Sequence, residues 1–228
     1  MMTRTTTDIA QPIQVLPSAA SKIEQAVEAI VHAMRDRQAT VVGCSYGKDS
    51  SCVLALTLEA AHRLKQRDGL NKRVIVLTAD TGVENPSMIK LAHKMSAQTL
   101  TFAAERDLDV VQRWVKPAPM DHYLVTMIGG RGTASVPGTS SSCTSDLKIR
   151  PMEKVTKELA DEFGADNILT LIGTRFDEST SRGNNMRQRG ESALTPKQQE
   201  SGSWLLSPIA NWNVGDVWAS PAPSSPTS

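Results

Sequence analysis

The sequence predicts an α/β domain: a mainly parallel, twisted sheet with helices on both faces. Short β-branched runs, "ATVVG", "KRVIVLTA" and "NILTLIG", alternate with longer segments of helical period. Each run is apolar along its whole length, as expected of a strand covered on both faces. The stretches between runs are long enough for the helical crossovers that parallel neighbours require, and these are expected to be right-handed.

Taken in order, residues 1–18 are polar and rich in Thr and Pro, a flexible leader with no apolar signal-peptide core. Ile23, Val27, Ile30, Val31 and Met34 then recur at helical spacing, with Ser21 as the expected N-cap and Glu24 as its capping-box partner. "ATVVGCS" is a buried strand, and "SSCVLALTLEAAHRLKQR" a helix opening directly after it. "KRVIVLTAD" is a second strand ending in Asp80. "NPSMIKLAHKMSAQTL" is a helix with Pro86 in its first turn, where the missing N–H costs nothing. "ERDLDVVQRWV" reads as a short helix. "GGRGTASVPGTSSSCTS" is a loop of a length that usually carries function. "RPMEKVTKELADEFG" is a helix closed by Gly164, and "NILTLIGTR" a strand. Residues 176–203 are polar and read as a flexible flap. "WLLSPIANWNVGDVW" restores apolar structure, with Trp212 and Trp218 expected in the core. The main domain thus spans 19–218. The Pro/Ser-rich tail 219–228 reads as disordered, and its abrupt start reads as a C-terminal truncation or frame change of a longer relative.

Composition narrows the function classes. The chain has 228 residues, 39% hydrophobic and 21% charged, with net charge +1, which argues against a strongly basic, non-specific nucleic-acid binder. No apolar run approaches the ~20 residues needed to cross a bilayer. Three scattered cysteines, Cys44, Cys52 and Cys143, make no disulfide framework, so a reducing, cytoplasmic location is expected. Cys44 and Cys52 fall on a strand end and a first helical turn and read as small buried hydrophobes. Cys143, in a polar loop beside basic residues, is the one candidate for reactivity.

The chemistry concentrates in "VVGCSYGKDSS". A strand, a small-residue loop and a helix start follow one another, which directs backbone N–H groups and a helix dipole at one point. An anion binds well there. Lys48 adds a charge, Ser45, Ser50 and Ser51 add hydroxyls, and Gly47 allows close approach of the backbone. The loop is not a Walker A motif: Gly43 and Gly47 are one residue too close, and Asp49 stands where a Ser or Thr is required. It is not a dinucleotide fingerprint either, since G-x-G-x-x-G is missing.

Ser45-Tyr46-Gly47-Lys48-Asp49-Ser50 resembles the PP-loop, S-G-G-x-D-S, of the ATP pyrophosphatase superfamily, departing only at Tyr46. Four further segments in order resemble the phosphoadenylylsulfate (PAPS) reductase-like branch. They are Asp80-Thr81-Gly82 with Glu84 (D-T-G-x-E), Cys143 with Lys148 and Pro151, and Gly173 and Arg175 with Glu178, Ser179 and Arg182 (G-x-R-x-x-E-S-x-x-R). The last is "PIANWNVGDVW". Within the branch, the long loop before Cys143 and the polar stretch after Arg182 look closest to the DndC/SspD-type sulfurtransferases of DNA phosphorothioation.

The resemblance implies an adenine nucleotide alpha-hydrolase-like, Rossmann-like fold and ATP with Mg²⁺ as cofactors. It implies that ATP is cleaved at the α-phosphate to adenylylate a substrate for sulfur incorporation. Lys48, Asp49, Lys148 and Arg175 would be catalytic, with Asp49 also the Mg²⁺ ligand. The nucleotide would be held by Ser45 to Ser51, Asp80, Thr81, Gly82, Glu84, Gly173, Arg175, Glu178 and Arg182. A cysteine desulfurase and other DNA-modification proteins would be partners. Separately, the basic and polar composition of 182–189, with Arg182, Arg187 and Arg189, suggests contact with a DNA backbone. Three cysteines are too few for a four-cysteine iron–sulfur cluster in this chain alone, which leaves Cys143 as a lone thiol or a leftover ligand. Two other readings stay open. One is a sulfonucleotide enzyme of PAPS or APS reductase type, although the E-C-G-L-H segment of assimilatory reductases does not occur. The other is a nucleotide-binding regulatory subunit.

Overall fold

The computed structural model describes residues 18–130 and 145–220; the leader, the loop carrying Cys143 and residues 221–228 lie outside them. Helix α1 (Ala19–Arg35) precedes strand β1 (Ala39–Gly43), α2 (Lys48–Asp68), β2 (Arg73–Ala79), α3 (Pro86–Glu105) and β3 (Val110–Val115). The short α4 (Tyr123–Ile128) follows, then a π-turn over Ser145–Ile149 that leads into α5 (Arg150–Phe163), and β4 (Ile168–Leu171). The chain continues through α6 (Thr180–Arg189), β5 (Lys197–Gln198), β6 (Trp204–Leu206) and α7 (Val214–Ala219).

The strands form one sheet in the order β3-β2-β1-β4-β6-β5, parallel except for β5. The expected α/β class with a mainly parallel sheet is what the structure shows. Val42 of β1 sits in register with Val76 of β2 on one side and Leu171 of β4 on the other. The chain builds outward from β1 to β3, then returns to the other side of β1 to lay down β4. The β1/β4 boundary is therefore the topological switch point, whose carboxyl end is the usual ligand crevice of an open α/β sheet.

Alternation along the strands feeds two cores. Val42, Val74, Val76, Leu169 and Leu171 join the layer built by α1, α2 and α7, including Ile30, Met34, Leu54, Leu58 and Val217. Ala39, Val41, Ile75, Leu77 and Ile168 face the other way, onto Met152, Val155, Leu159 and Phe163 of α5. Among the described residues no helix is long and apolar enough to cross a membrane.

Four local expectations are corrected. Helix α1 starts earlier than expected: Ser18 is the N-cap, its Oγ accepting from Ser21 N at 3.2 Å, because Ala19 and Ala20 extend the helix. Glu24 is then free of any capping box and pairs with Arg63 of α2 at 2.6 Å. The segment read as a short helix contains β3 instead. Helix α3 runs on to Glu105, the chain turns at Asp107 (φ +48°), and Val110–Val115 pairs residue by residue with Val74–Ala79. The stretch read as a flexible flap holds α6, capped by Ser179 and by Gly190 at φ +64°, with Met186 fully buried, and then β5 paired with β6. Trp212 is in the core, but Trp218 is 71% exposed, because in the short α7 its neighbours Asp216 and Val217 take the inward face.

Candidate functional site

The sheet brings three strand ends together: "SYGKDSS" after β1, "DTGVE" after β2 and "GTRFDE" after β4. Helix α2 starts at Lys48 with Gly47 as N-cap, and no side chain caps it. The first N–H groups of a 21-residue helix thus remain available to an anion, with the dipole behind them. Ser50 Oγ is turned into the loop: it donates to Gly47 O at 3.1 Å and accepts from Ser45 N at 3.2 Å. That hydroxyl shapes the cradle, while Ser45 and Lys48 are exposed at its rim. Ser51 Oγ is buried without a partner rather than offered to a ligand.

Asp49 is the hub. Its Oδ1 accepts from Arg175 Nε at 2.8 Å and its Oδ2 from Lys48 Nζ at 2.5 Å. The Arg175 side chain is only 3% exposed, and its Nη1 also reaches Trp212 O at 3.4 Å. Arg175 therefore anchors the first turn of α2 to the end of β4 and does not reach out as a bidentate phosphate clamp. Gly173 makes this approach possible: a Cβ there would stand 3.0 Å from the Asp49 carbonyl and 3.1 Å from Ser50 N.

At the end of β2, Asp80 Oδ1 accepts from Gly82 N at 3.1 Å in an Asx turn, and Oδ2 lies 3.4 Å from Lys116. The helix cap belongs to Asn85, whose side chain accepts from Ser87 N at 2.9 Å. Thr81 is buried, its Oγ1 accepting from Val83 N at 3.4 Å. Gly82 has φ +72°, and a Cβ on it would meet His122 Nε2 at 2.6 Å. Glu84 receives Lys148 Nζ at 3.0 Å, so Lys148 does come to the site, across 64 positions of sequence. A cleft of about 350 Å³ runs from Ser45, Tyr46 and Gly47 to Glu84, Asn85 and Met88.

Tyr46 has a left-handed backbone, φ +56°, which costs a non-glycine residue about 1 kcal/mol or more. Its side chain is buried against β3.

Other expected site residues are engaged within their own segment. Glu178 and Arg182 pair with each other at 2.6 Å. Arg189 pairs with Glu191, and Arg187 lies over the Phe176 ring at 5.4 Å with a hydrogen bond to Asn184. Both oxygens of Asp49, the implied Mg²⁺ ligand, accept from cations in this structure, Oδ1 from Arg175 and Oδ2 from Lys48. Among the described residues no group of three or more His, Cys, Asp or Glu side chains converges on a metal position. Cys44 and Cys52 are buried in the core, and burial raises both thiols above the ordinary value. Cys143 lies outside the described residues.

Sequence reasoning missed Gln112, His122 and Glu191. Gln112 and Glu191 are polar side chains turned inward, and in a single sequence a lone polar residue carries no mark of that. The Glu191 side chain is 1% exposed, and its carboxylate accepts from Arg189, Thr174 and Ser207 at 2.6–2.8 Å.

The fold is shared with the crystal structure of NAD+ synthetase from Burkholderia pseudomallei, at TM-score 0.53 and 16% identity over 90% of this chain and 74% of that one. Candida glabrata FMN adenylyltransferase, in complex with FMN and the ATP analog AMPCPP, matches at TM-score 0.48 and 9% identity, over 90% and 59%. None of the curated proteins matches. The phosphoadenosine phosphosulfate reductase domain model matches residues 39–220, which takes in every strand, the phosphate loop and the Gly173–Arg175 turn. The chain belongs to the phosphoadenosine phosphosulfate reductase domain family.

Proposed function

We propose that the chain is an ATP-using PP-loop enzyme that binds the β,γ-pyrophosphate of ATP on residues 45–51 and cleaves the nucleotide at its α-phosphate. The observation that carries this reading is the uncapped N-terminus of α2 opening at the switch point of the sheet, with Lys48 on its rim. When the α–β bond breaks, negative charge grows on the departing pyrophosphate. Helix N–H groups already in place stabilise that charge without reorganisation. Lys48 turns from Asp49 to the phosphate, while Arg175 keeps Asp49 and the first turn in position. Lys148, held near the cleft by Glu84, supplies a second cation.

The activated group is an adenylate: the terminal sulfur of a desulfurase persulfide attacks it and AMP leaves, and an external thiol reductant then cleaves the resulting S–S bond, becoming a disulfide and freeing the sulfur on the product. DNA phosphorothioate modification is the process that fits the resemblance best. The exposed arginines of α6, Arg182, Arg187 and Arg189, are the candidate DNA contacts in this reading. The test is to incubate α-labelled ATP with the chain, duplex DNA and a desulfurase with cysteine. AMP and pyrophosphate in equal amounts, dependent on DNA, support the reading. ADP and phosphate, or no nucleotide turnover in any mixture, overturn it.

A second reading, a sulfonucleotide in the same site, is favoured by the family to which the chain belongs. It needs a thiolate nucleophile, which buried Cys44 and Cys52 with raised thiols do not supply; Cys143, outside the described residues, is the remaining thiol of the chain. Competition between PAPS and ATP for the wild-type chain separates the two: PAPS bound far more tightly than ATP favours the second.

A further inference from the structure

The position at which the loop departs from its family makes the most specific connection in the site. Tyr46 takes a left-handed backbone that glycine would adopt freely, and its ring is only 5% exposed. The hydroxyl donates to Gln112 Oε1 at 2.6 Å. Gln112 is held in turn: its Nε2 donates to Thr78 Oγ1 at 3.0 Å, and its Oε1 also accepts from Ser96 Oγ at 3.2 Å. The Tyr46 ring lies beside Trp114, with centroids 6.3 Å apart, and Trp114 packs on His93 at 4.2 Å. Thus β2, α3 and β3 all converge on one side chain of the phosphate loop.

We propose that Tyr46 is a positioning residue that tethers the phosphate loop to β3 through Gln112, holding the Gly47–Ser51 backbone ready for pyrophosphate. This rests on the reading that residues 45–51 hold the pyrophosphate of ATP. In the family pattern the position is glycine, which leaves the loop free of such an attachment. Here a strained backbone is held by a buried, hydrogen-bonded ring. A buried polar group satisfied at both ends orders the segment that carries it. An ordered loop loses less entropy when it closes on an anion, so the tether raises affinity without touching the ligand.

The test is calorimetric titration of inorganic pyrophosphate into wild type, Tyr46→Phe, Gln112→Met and the double variant, below their melting temperatures. Tyr46→Phe keeps the ring beside Trp114 and removes only the donor. The expected result is a three- to tenfold weaker Kd in each single variant, with the double variant no worse than either. Tyr46→Gly, which restores the family residue, is expected to bind more weakly than wild type. A merely structural role lowers Tm but leaves Kd unchanged. Equal Kd in wild type and Tyr46→Phe, or tighter binding by Tyr46→Gly, overturns the tether while leaving the site intact. If Tyr46→Phe does not fold, Gln112→Met removes the same bond from its other end. If wild type binds neither pyrophosphate nor ATP, the site reading falls and the tether falls with it.

Discussion

Arg175 Nε meets Asp49 Oδ1 at 2.8 Å, joining the end of β4 to the first turn of α2 across 126 positions of sequence. The pair is almost dry on the arginine side, and removing Arg175 takes away its buried packing and its charge-assisted bond to Asp49, which keeps only Lys48. Arg175→Ala is predicted to cost about 3 kcal/mol in urea unfolding. Asp49→Asn is predicted to cost less, because the guanidinium keeps an amide oxygen and the Trp212 carbonyl. Equal stability of Arg175→Ala and wild type would contradict the anchor.

Glu191 ties the flap to the site strands. It accepts from Thr174, which lies between Gly173 and Arg175, and from Ser207 just beyond β6. Glu191→Ala removes the acceptor of the buried Ser207 hydroxyl and the half-buried Thr174 hydroxyl, and is predicted to destabilise by about 2–4 kcal/mol. Glu191→Gln keeps an acceptor and is predicted to lose about half of that. Thermal unfolding of the pair decides; a silent Glu191→Ala would remove the carboxylate from any structural role.

Two glycines with nearly the same backbone separate strain from crowding. Gly69 has φ +70° with open space around its missing Cβ, while Gly82 has φ +72° with His122 Nε2 in the way. Both alanine variants carry the left-handed penalty of about 1 kcal/mol. Gly82→Ala alone is predicted also to displace His122, visible as a shifted imidazole NMR signal. An unmoved His122 signal in Gly82→Ala would refute the contact.

The Tyr46 hydroxyl gives a test at alkaline pH. Burial, the largest cause, pushes it up to about 12 from an ordinary 10, with Ser96 acting in the opposite direction. The folded state thus favours the protonated phenol. That contribution to stability is complete below pH 10 and is lost as pH rises through about 12. Wild type is therefore predicted to lose its stability advantage over Tyr46→Phe across that window, measured as urea midpoints. A gap that stays constant with pH would contradict the burial of the hydroxyl.

Much of this was legible in the sequence because it is written in local patterns. Strands β1, β2 and β4 are covered on both faces, so each appears as an unbroken apolar run. Strand β3 lies at the sheet edge, where Gln112 and Arg113 break the run, and only pairing with β2 makes it a strand. The α6 helix buries only Gly183 and Met186, too few for an apolar period to show. The phosphate loop was legible from spacing and residue type. That Asp49 would be claimed by Arg175 was not, since no local signal links residues that only the switch point of the sheet brings together. Tyr46 was legible as a departure from the family, but its use depends on Gln112, 66 positions away.

The central claim is that residues 45–51 hold the pyrophosphate of ATP, and competitive titration measures it most directly. ATP and inorganic pyrophosphate are predicted to exclude one another from the wild-type chain, with AMP binding much more weakly. Lys48→Ala is predicted to weaken both about ten- to a hundredfold, the equivalent of one charge-assisted hydrogen bond to phosphate. Simultaneous binding of ATP and pyrophosphate, or unchanged ATP affinity in Lys48→Ala, would contradict the account.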